Sequence, residues 1–220
     1  MVTATPSSPP VKPRLRGVSH QLAFMVVVVA GPILVLTSPP SARWAAAIYA
    51  ACLAGLFGVS AAFHRITWTT ESRRRMRRLD HSMIFVFIAG TYTAIAGLTL
   101  PHPTSTIIVS VVWIGALAGV SIKLFWIDAP RWLSAASYIV LGWVAVLALP
   151  AMYSALGPVG FALVVAGGLL YTTGAIVYAR RSPDPVPAVF GYHEVFHAFV
   201  IAAALCHFVV VAGWALPSAA

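Results

Sequence analysis

The chain has 220 residues, of which 60% are apolar and only 9% are charged, with 14 Lys and Arg against 5 Asp and Glu. Soluble domains carry charged side chains at about a quarter of their positions. This composition, with a mean hydropathy of +0.90, therefore excludes an ordinary soluble domain and predicts an integral membrane protein.

The first segment, residues 1–17, is basic and rich in Pro and Ser, so we expect a disordered cytoplasmic tail. The apolar stretch that follows is longer than the core of a signal peptide, which has about 7–15 residues. We therefore assign this stretch to the first helix of the mature protein.

Seven apolar stretches follow the tail, and each is long enough to cross a hydrocarbon core of about 30 Å at about 1.5 Å per residue. They predict an all-α bundle of seven transmembrane helices over residues 18–213, followed by a short outer tail, 214–220. No room is left for a second domain. The predicted spans are 18–37, 42–64, 80–100, 106–126, 131–149, 155–179 and 190–213.

The basic residues predict how the bundle is oriented. Seven spans place 13 of the 14 Lys and Arg on one side, with Arg43 as the exception. Basic residues accumulate on the cytoplasmic side, so we expect a cytoplasmic N-terminus and an outer C-terminus in a multi-pass protein of the cell membrane. We interpret the basic run 73–78 as a solvated loop that touches anionic lipid headgroups and does not bind nucleic acid.

Five polar residues meet at the cytoplasmic ends of three predicted helices. His64 ends the second span, Asp80 begins the third, and His193 and His197 lie in the first two turns of the seventh. Ser60 lies one turn deeper than His64 on the same helix face, because residues four apart are neighbours on a helix. Imidazoles and a carboxylate are ligands that Zn²⁺ takes when one position is left for water. The pattern predicts a zinc site at the membrane's edge.

Other interpretations of these residues stay open. Ionisable side chains near helix ends reach the interface, and Asp80 is also a candidate N-cap for the third span. The segment HEVFH also matches the zincin pattern, in which the intervening Glu194 acts as general base. No acidic residue follows His197 as a third ligand, so His64 is the natural donor. We consider His20 and His81 as accessory groups.

The segments that carry these residues resemble the hemolysin III branch of the progestin and adiponectin receptor family. The matching pieces are SAAFH, LDHSMIFVFIAGTYT and GYHEVFHAFVIAAALCHF, in a similar order over residues 18–213. The wider superfamily includes alkaline ceramidases, in which three histidines hold zinc and an Asp holds the metal-bound water. The resemblance implies those roles for His64, His193, His197 and Asp80, with Ser60 as a nearby polar group.

From the residues and this resemblance together we expect a zinc-dependent hydrolase of lipid amides or esters that acts in membrane homeostasis. Its partners would be membrane lipids, including a substrate with an amide-linked or ester-linked acyl chain. Two alternatives stay open. One is a non-enzymatic sensor of membrane state with structural zinc, and the other is a cytolytic, pore-forming protein.

Overall fold

The computed structural model describes residues 12–219, which form helices and no named β-strand. A 3₁₀ segment, Trp143–Ala148, joins two of the helices, and a π-helical turn, Val211–Ala215, extends the last one. The predicted tail residues 1–11 and the final Ala220 lie outside the described residues. The helices are α1 Val18–Thr37, α2 Arg43–Arg65, α3 Thr70–Thr99, α4 Thr104–Phe125, α5 Arg131–Gly142, α6 Leu149–Arg180 and α7 Tyr192–Val210.

Six helical stretches of the described chain are long and apolar enough to cross a membrane. Large apolar side chains on their outer faces are exposed, among them Leu36 at 73%, Ile114 at 67% and Leu147 at 78%. A protein with such an apolar surface would aggregate in water, whereas lipid chains solvate the surface. The chain is therefore an integral, multi-pass membrane protein.

The described residues form six apolar helical stretches and not seven because one stretch, Arg131–Arg180, contains two of the predicted spans. It is helical almost throughout. This stretch folds back on itself, because Trp143 Nε1 donates a hydrogen bond of 2.9 Å to Thr172 Oγ1. In a straight helix these two residues would lie about 43 Å apart. The reversal coincides with Gly157, whose φ of 65° and ψ of 178° interrupt the helix immediately before Pro158.

The predicted start of the third span needs a correction, because α3 begins ten residues before position 80, at Thr70. Thr69 caps this helix by accepting a hydrogen bond of 3.3 Å from Ser72 N, and Glu71 pairs with Arg75 one turn along. The basic run 73–78 is thus helical and not a loop. Asp80 lies inside the helix, so its interpretation as an N-cap is wrong.

The helices pack mostly against their neighbours in sequence, and α1 closes the bundle against α7. Small residues allow the close approach that this packing needs. A Cβ added to Gly119 on α4 would lie 2.4 Å from the ring of Phe85 on α3. The helices α2 and α3 contribute the largest share of the interior, with residues such as Tyr49 and Phe87.

Three contacts define one end of the bundle, which we call the basic end. Arg14 N donates to Ala188 O at 3.0 Å. Arg65 Nε donates to Gln21 Oε1 at 3.1 Å, and Arg77 Nη1 lies 2.9 Å from Asp128 Oδ1. At the opposite end Ser41 donates to the backbone of Ala219. The predicted site residues all lie near the basic end or one turn inside it.

Candidate metal centre

Three histidines from two helices converge at the basic end. His64 lies in the last turn of α2, and His193 and His197 lie in the first two turns of α7. One ligand nitrogen from each ring lies within 4.8 Å of the other two, and the Nε2 atoms of His64 and His193 are 3.1 Å apart. His64 and His197 are buried and His193 is half-buried. The structure therefore brings together the three histidines that the sequence grouped, and they are spaced to hold one metal ion.

The start of α7 is fixed by Glu194, which is only 1% exposed. Its Oε2 accepts a hydrogen bond of 2.9 Å from Gly191 N, which caps the helix. Its Oε1 lies 2.5 Å from Arg16 Nε in an ion pair. Both carboxylate oxygens are therefore engaged away from the histidines, which disfavours the zincin interpretation. Glu194 and Arg16 hold the helix turn on which His193 and His197 lie.

His20 is a fourth histidine of this site, and the sequence suggested it only as an accessory group. Its ring stacks on that of His197, with centroids 3.7 Å apart and planes 10° apart. Its Nδ1 forms a hydrogen bond of 2.9 Å with Ser60 Oγ. With an exposed fraction of 3%, His20 is not an interfacial side chain. It connects α1 to a candidate ligand and to the predicted Ser60.

Asp80 lies beside the clustered histidines but outside their group, and Ser60 lies on the same cavity wall. Ser60 is 3% exposed and Asp80 is half-buried. Both side chains line a cavity that His193 and His197 also line, as does His81. The carboxylate can therefore act on a molecule held next to the histidines without being one of the three clustered donors.

The cavity is long and has about 1180 Å³ of empty space, including its open part. It begins at Ser60 and Asp80 and runs between α3, α5, α6 and α7 as far as Trp143, Gly168 and His207. Most of its lining side chains are apolar or aromatic. A flexible apolar chain is the kind of molecule that this shape and lining accept.

Gly17 is a residue of this site that sequence reasoning missed. It precedes α1 with a φ of 79°, in the left-handed region that favours glycine. A Cβ added at Gly17 would lie 2.5 Å from Cβ of His64. No motif in the sequence signals this contact, because it joins a turn to the end of a helix more than forty residues away.

Replacement of Gly17 by Ala is expected to destabilise the fold and displace His64. The left-handed backbone alone costs an alanine about 1–2 kcal/mol, and the contact with His64 adds to that. Thermal unfolding of purified protein measures the effect. Gly213→Ala is the matched control, since a Cβ there meets no atom within 4 Å. Equal melting temperatures for the two variants would contradict the tight packing at Gly17.

Comparisons with known sequences agree with one another. A sequence model of the family described as "Haemolysin-III related" matches residues 10–208. "Hemolysin-3" of Bacillus cereus is 34% identical over 141 residues, which are 64% of this chain and 62% of that protein. The aligned part thus spans less than two-thirds of that relative. "Hemolysin-3 homolog" of Bacillus subtilis (strain 168) is 32% identical over 156 residues, 71% of this chain and 70% of that protein.

A more distant similarity extends to a receptor. "Adiponectin receptor protein" of Drosophila melanogaster is 29% identical over 170 residues, which are 69% of this chain but 38% of that protein. The family match, which covers residues 10–208, includes the helices that carry the clustered histidines.

Proposed function

The chain belongs to the Haemolysin-III related family, and on that premise we propose that it is a zinc-dependent hydrolase of lipid amides or esters that acts in membrane homeostasis. One observation carries the proposal. His64, His193 and His197 cluster together, and His193 and His197 line one end of a long apolar cavity with Asp80 and Ser60. This arrangement suits a lipid substrate. Its scissile carbonyl would lie at the polar groups, and its apolar chain would lie in the channel.

The donor set fits zinc. Zinc–nitrogen bonds of about 2.0–2.1 Å in a tetrahedral arrangement place the ligand nitrogens roughly 3.4 Å apart. The 3.1 Å between Nε2 of His64 and Nε2 of His193 is close to that spacing. Three protein donors leave a fourth position, as catalytic zinc requires.

In this proposal a zinc ion supplies Lewis acidity, which makes water more acidic and a carbonyl more electrophilic. Asp80 accepts the proton that water loses as it attacks the carbonyl, and later gives it to the leaving group. Ser60 donates a hydrogen bond to the developing oxyanion. His20 holds Ser60 through its 2.9 Å hydrogen bond and supports the ring of His197 by stacking.

The rest of the cavity binds the acyl chain and keeps bulk water out. Because the acyl chain would enter from the equally apolar bilayer, its burial past Phe87 and Trp143 adds little hydrophobic free energy, and the channel contributes mainly by the shape of chain that it accepts. Membrane lipids are therefore the partners, and the substrate carries an amide-linked or ester-linked acyl chain.

A direct assay tests the proposal. Purified protein in lipid nanodiscs is supplied with zinc and with either a ceramide or a lysophospholipid, and released fatty acid is measured by mass spectrometry. We expect release from at least one substrate, and none after His197→Ala. Equal release with and without the three histidines would refute the proposal.

We also propose that the chain crosses the membrane seven times, with the basic end in the cytoplasm. The stretch Arg131–Arg180 would be about 75 Å long if straight, more than twice the hydrocarbon thickness. Its reversal at Gly157 suits two crossings. The concentration of Arg and Lys at one end favours cytoplasmic placement of that end.

Reporter fusions are expected to place the C-terminus outside and the segment around Arg74 inside. The physical reason is the distribution of basic residues, 13 of 14 on one side in a seven-span arrangement. Alkaline phosphatase and green fluorescent protein fusions at residue 220 and at the α2–α3 junction read the two sides. The same side for both fusion sites would rule out seven crossings, whereas an outer α2–α3 junction with a cytoplasmic C-terminus would reverse the proposed orientation.

A second candidate function is lysis, because one relative is named "Hemolysin-3" and another "Hemolysin-3 homolog". Release of haemoglobin from erythrocytes by purified protein tests it. Lysis that persists after His197→Ala would separate that activity from the histidine site.

A further inference from the structure

The far end of the cavity carries two polar side chains that the proposed chemistry does not use. Tyr171 on α6 and His207 on α7 both line it, and their ring centroids are 5.5 Å apart. Tyr171 Oη and His207 Nδ1 are buried, and neither has a hydrogen-bond partner among residues 12–219. Two such atoms in one apolar channel point to a ligand that supplies the missing bonds.

Neighbouring polar groups at this depth are already satisfied. Tyr92 Oη donates to Gly142 O and accepts from Ala145 N, each at 2.7 Å. Trp143 Nε1 bonds Thr172 Oγ1. Tyr49 Oη, whose ring packs on the same Phe87 as Tyr171, also has no partner among the described residues, but Tyr49 does not line the cavity. On the far part of the cavity wall the unpartnered atoms belong to Tyr171 and His207.

The contacts of His207 define what it offers to a ligand. Its Nε2 lies 3.2 Å from Val164 O, and a carbonyl oxygen only accepts, so Nε2 carries the proton. In the neutral ring Nδ1 is then an acceptor. The ring is also held in place, because a Cβ on Gly167 would come within 2.4 Å of Nε2. His207 therefore presents an acceptor from a fixed ring.

Tyr171 complements this acceptor with a donor, since its hydroxyl can give one hydrogen bond and accept another. A hydroxyl group between the two would donate to His207 Nδ1 and accept from Tyr171 Oη. A plain methylene chain would satisfy neither atom, and a carbonyl would satisfy only Tyr171. The pair is therefore matched to a hydroxyl.

We propose that Tyr171 and His207 form a subsite for a hydroxyl group carried on the acyl chain of the lipid. This inference rests on the proposed function, which places the carbonyl at the histidine cluster. About 15 Å along α7 separate His197 from His207, so the recognised hydroxyl stands far from the carbonyl. The substrate class becomes lipids with a hydroxylated acyl chain.

The test compares two fatty acids on the full-length protein in nanodiscs. One is octadecanoic acid, and the other is octadecanoic acid with a hydroxyl on its twelfth carbon. We expect the hydroxylated acid to bind about tenfold more tightly in a competition assay, because it satisfies two buried polar atoms. Tyr171→Phe, which removes only the oxygen, should bring the ratio close to one.

Tyr153→Phe is the matched control, since it removes the same hydroxyl from a residue that is 51% exposed and does not line the cavity. Equal affinities for the two acids in the unaltered protein would overturn the hydroxyl subsite and leave the hydrolase proposal standing. Failure of both acids to bind would overturn the subsite and also the acyl-chain channel of the proposed function. A preference that survives Tyr171→Phe but not His207→Phe would assign the recognition to His207 alone and contradict the proposed pair.

Discussion

Alanine at His64, His193 or His197 is expected to remove most of the zinc from the purified protein. Each ring supplies one of three clustered donors, and loss even of groups that only support a ligand lowers metal affinity about 10–100-fold. Because the ion would join the end of α2 to the start of α7, its loss should also lower the melting temperature. Elemental analysis and thermal unfolding measure the two effects.

The size of the thermal effect follows from linkage. Zinc at about 100 times its dissociation constant stabilises the folded state by about 2.7 kcal/mol. For a chain of this length that corresponds to roughly 5–10 °C in melting temperature. A chelator should produce the same shift in the unaltered protein and none in the variants. If the chelator shifted the melting temperature of the variants as much as that of the unaltered protein, the histidines would not be metal ligands.

His102→Ala is the control for these variants. His102 lies in the exposed turn before α4 and bonds only Thr106 among the described residues, at 2.9 Å. Its loss should change neither the zinc content nor the melting temperature. Zinc that falls equally in this variant would show non-specific binding by surface histidines.

Hydropathy and helical spacing predicted much of the fold. The bounds of α1 and α2 fall within a residue or so of the predicted spans, because an apolar run of that length has few other structures open to it in a membrane. The start of α3 was missed, since eight of its first ten residues are polar and the segment carries no hydropathy signal. Its cap at Thr69 and the pair of Glu71 with Arg75 stabilise that extension.

The residues of the candidate site were also only partly predictable from the sequence. The cluster of His64, His193 and His197 was predictable, because spacing of four residues and position at helix ends decide where such side chains lie. Gly17 and Arg16 were not, since their contacts with α2 and α7 depend on how distant segments pack. His20 was partly visible from its depth in the first span, but its stacking on His197 was not.

Asp80→Asn is expected to separate catalysis from metal binding. Asp80 lies outside the three-histidine group, so the amide should leave the zinc content unchanged. It should also leave α3 intact, because the cap of that helix is Thr69 and Asp80 lies in the helix interior. What the variant loses is the proton-accepting carboxylate on the cavity wall, and loss of a general base costs about 10²–10⁴-fold in rate. Fatty acid release and elemental analysis on the same preparation measure both quantities.

Asp128→Asn makes the same chemical change at a surface position, where the carboxylate pairs only with Arg74 and Arg77 among the described residues. It should retain full activity. A loss of activity in Asp80→Asn would then be due to the place of Asp80 in the site and not to the removal of a carboxylate in general. A sensor with structural zinc would keep its cellular effect in both variants. Hydrolysis that survives Asp80→Asn but not His64→Ala would assign the base to another group and leave the carboxylate without the role proposed for it. Loss of zinc together with activity in Asp80→Asn would instead place Asp80 among the ligands, and the fourth position of the metal would then be closed to water.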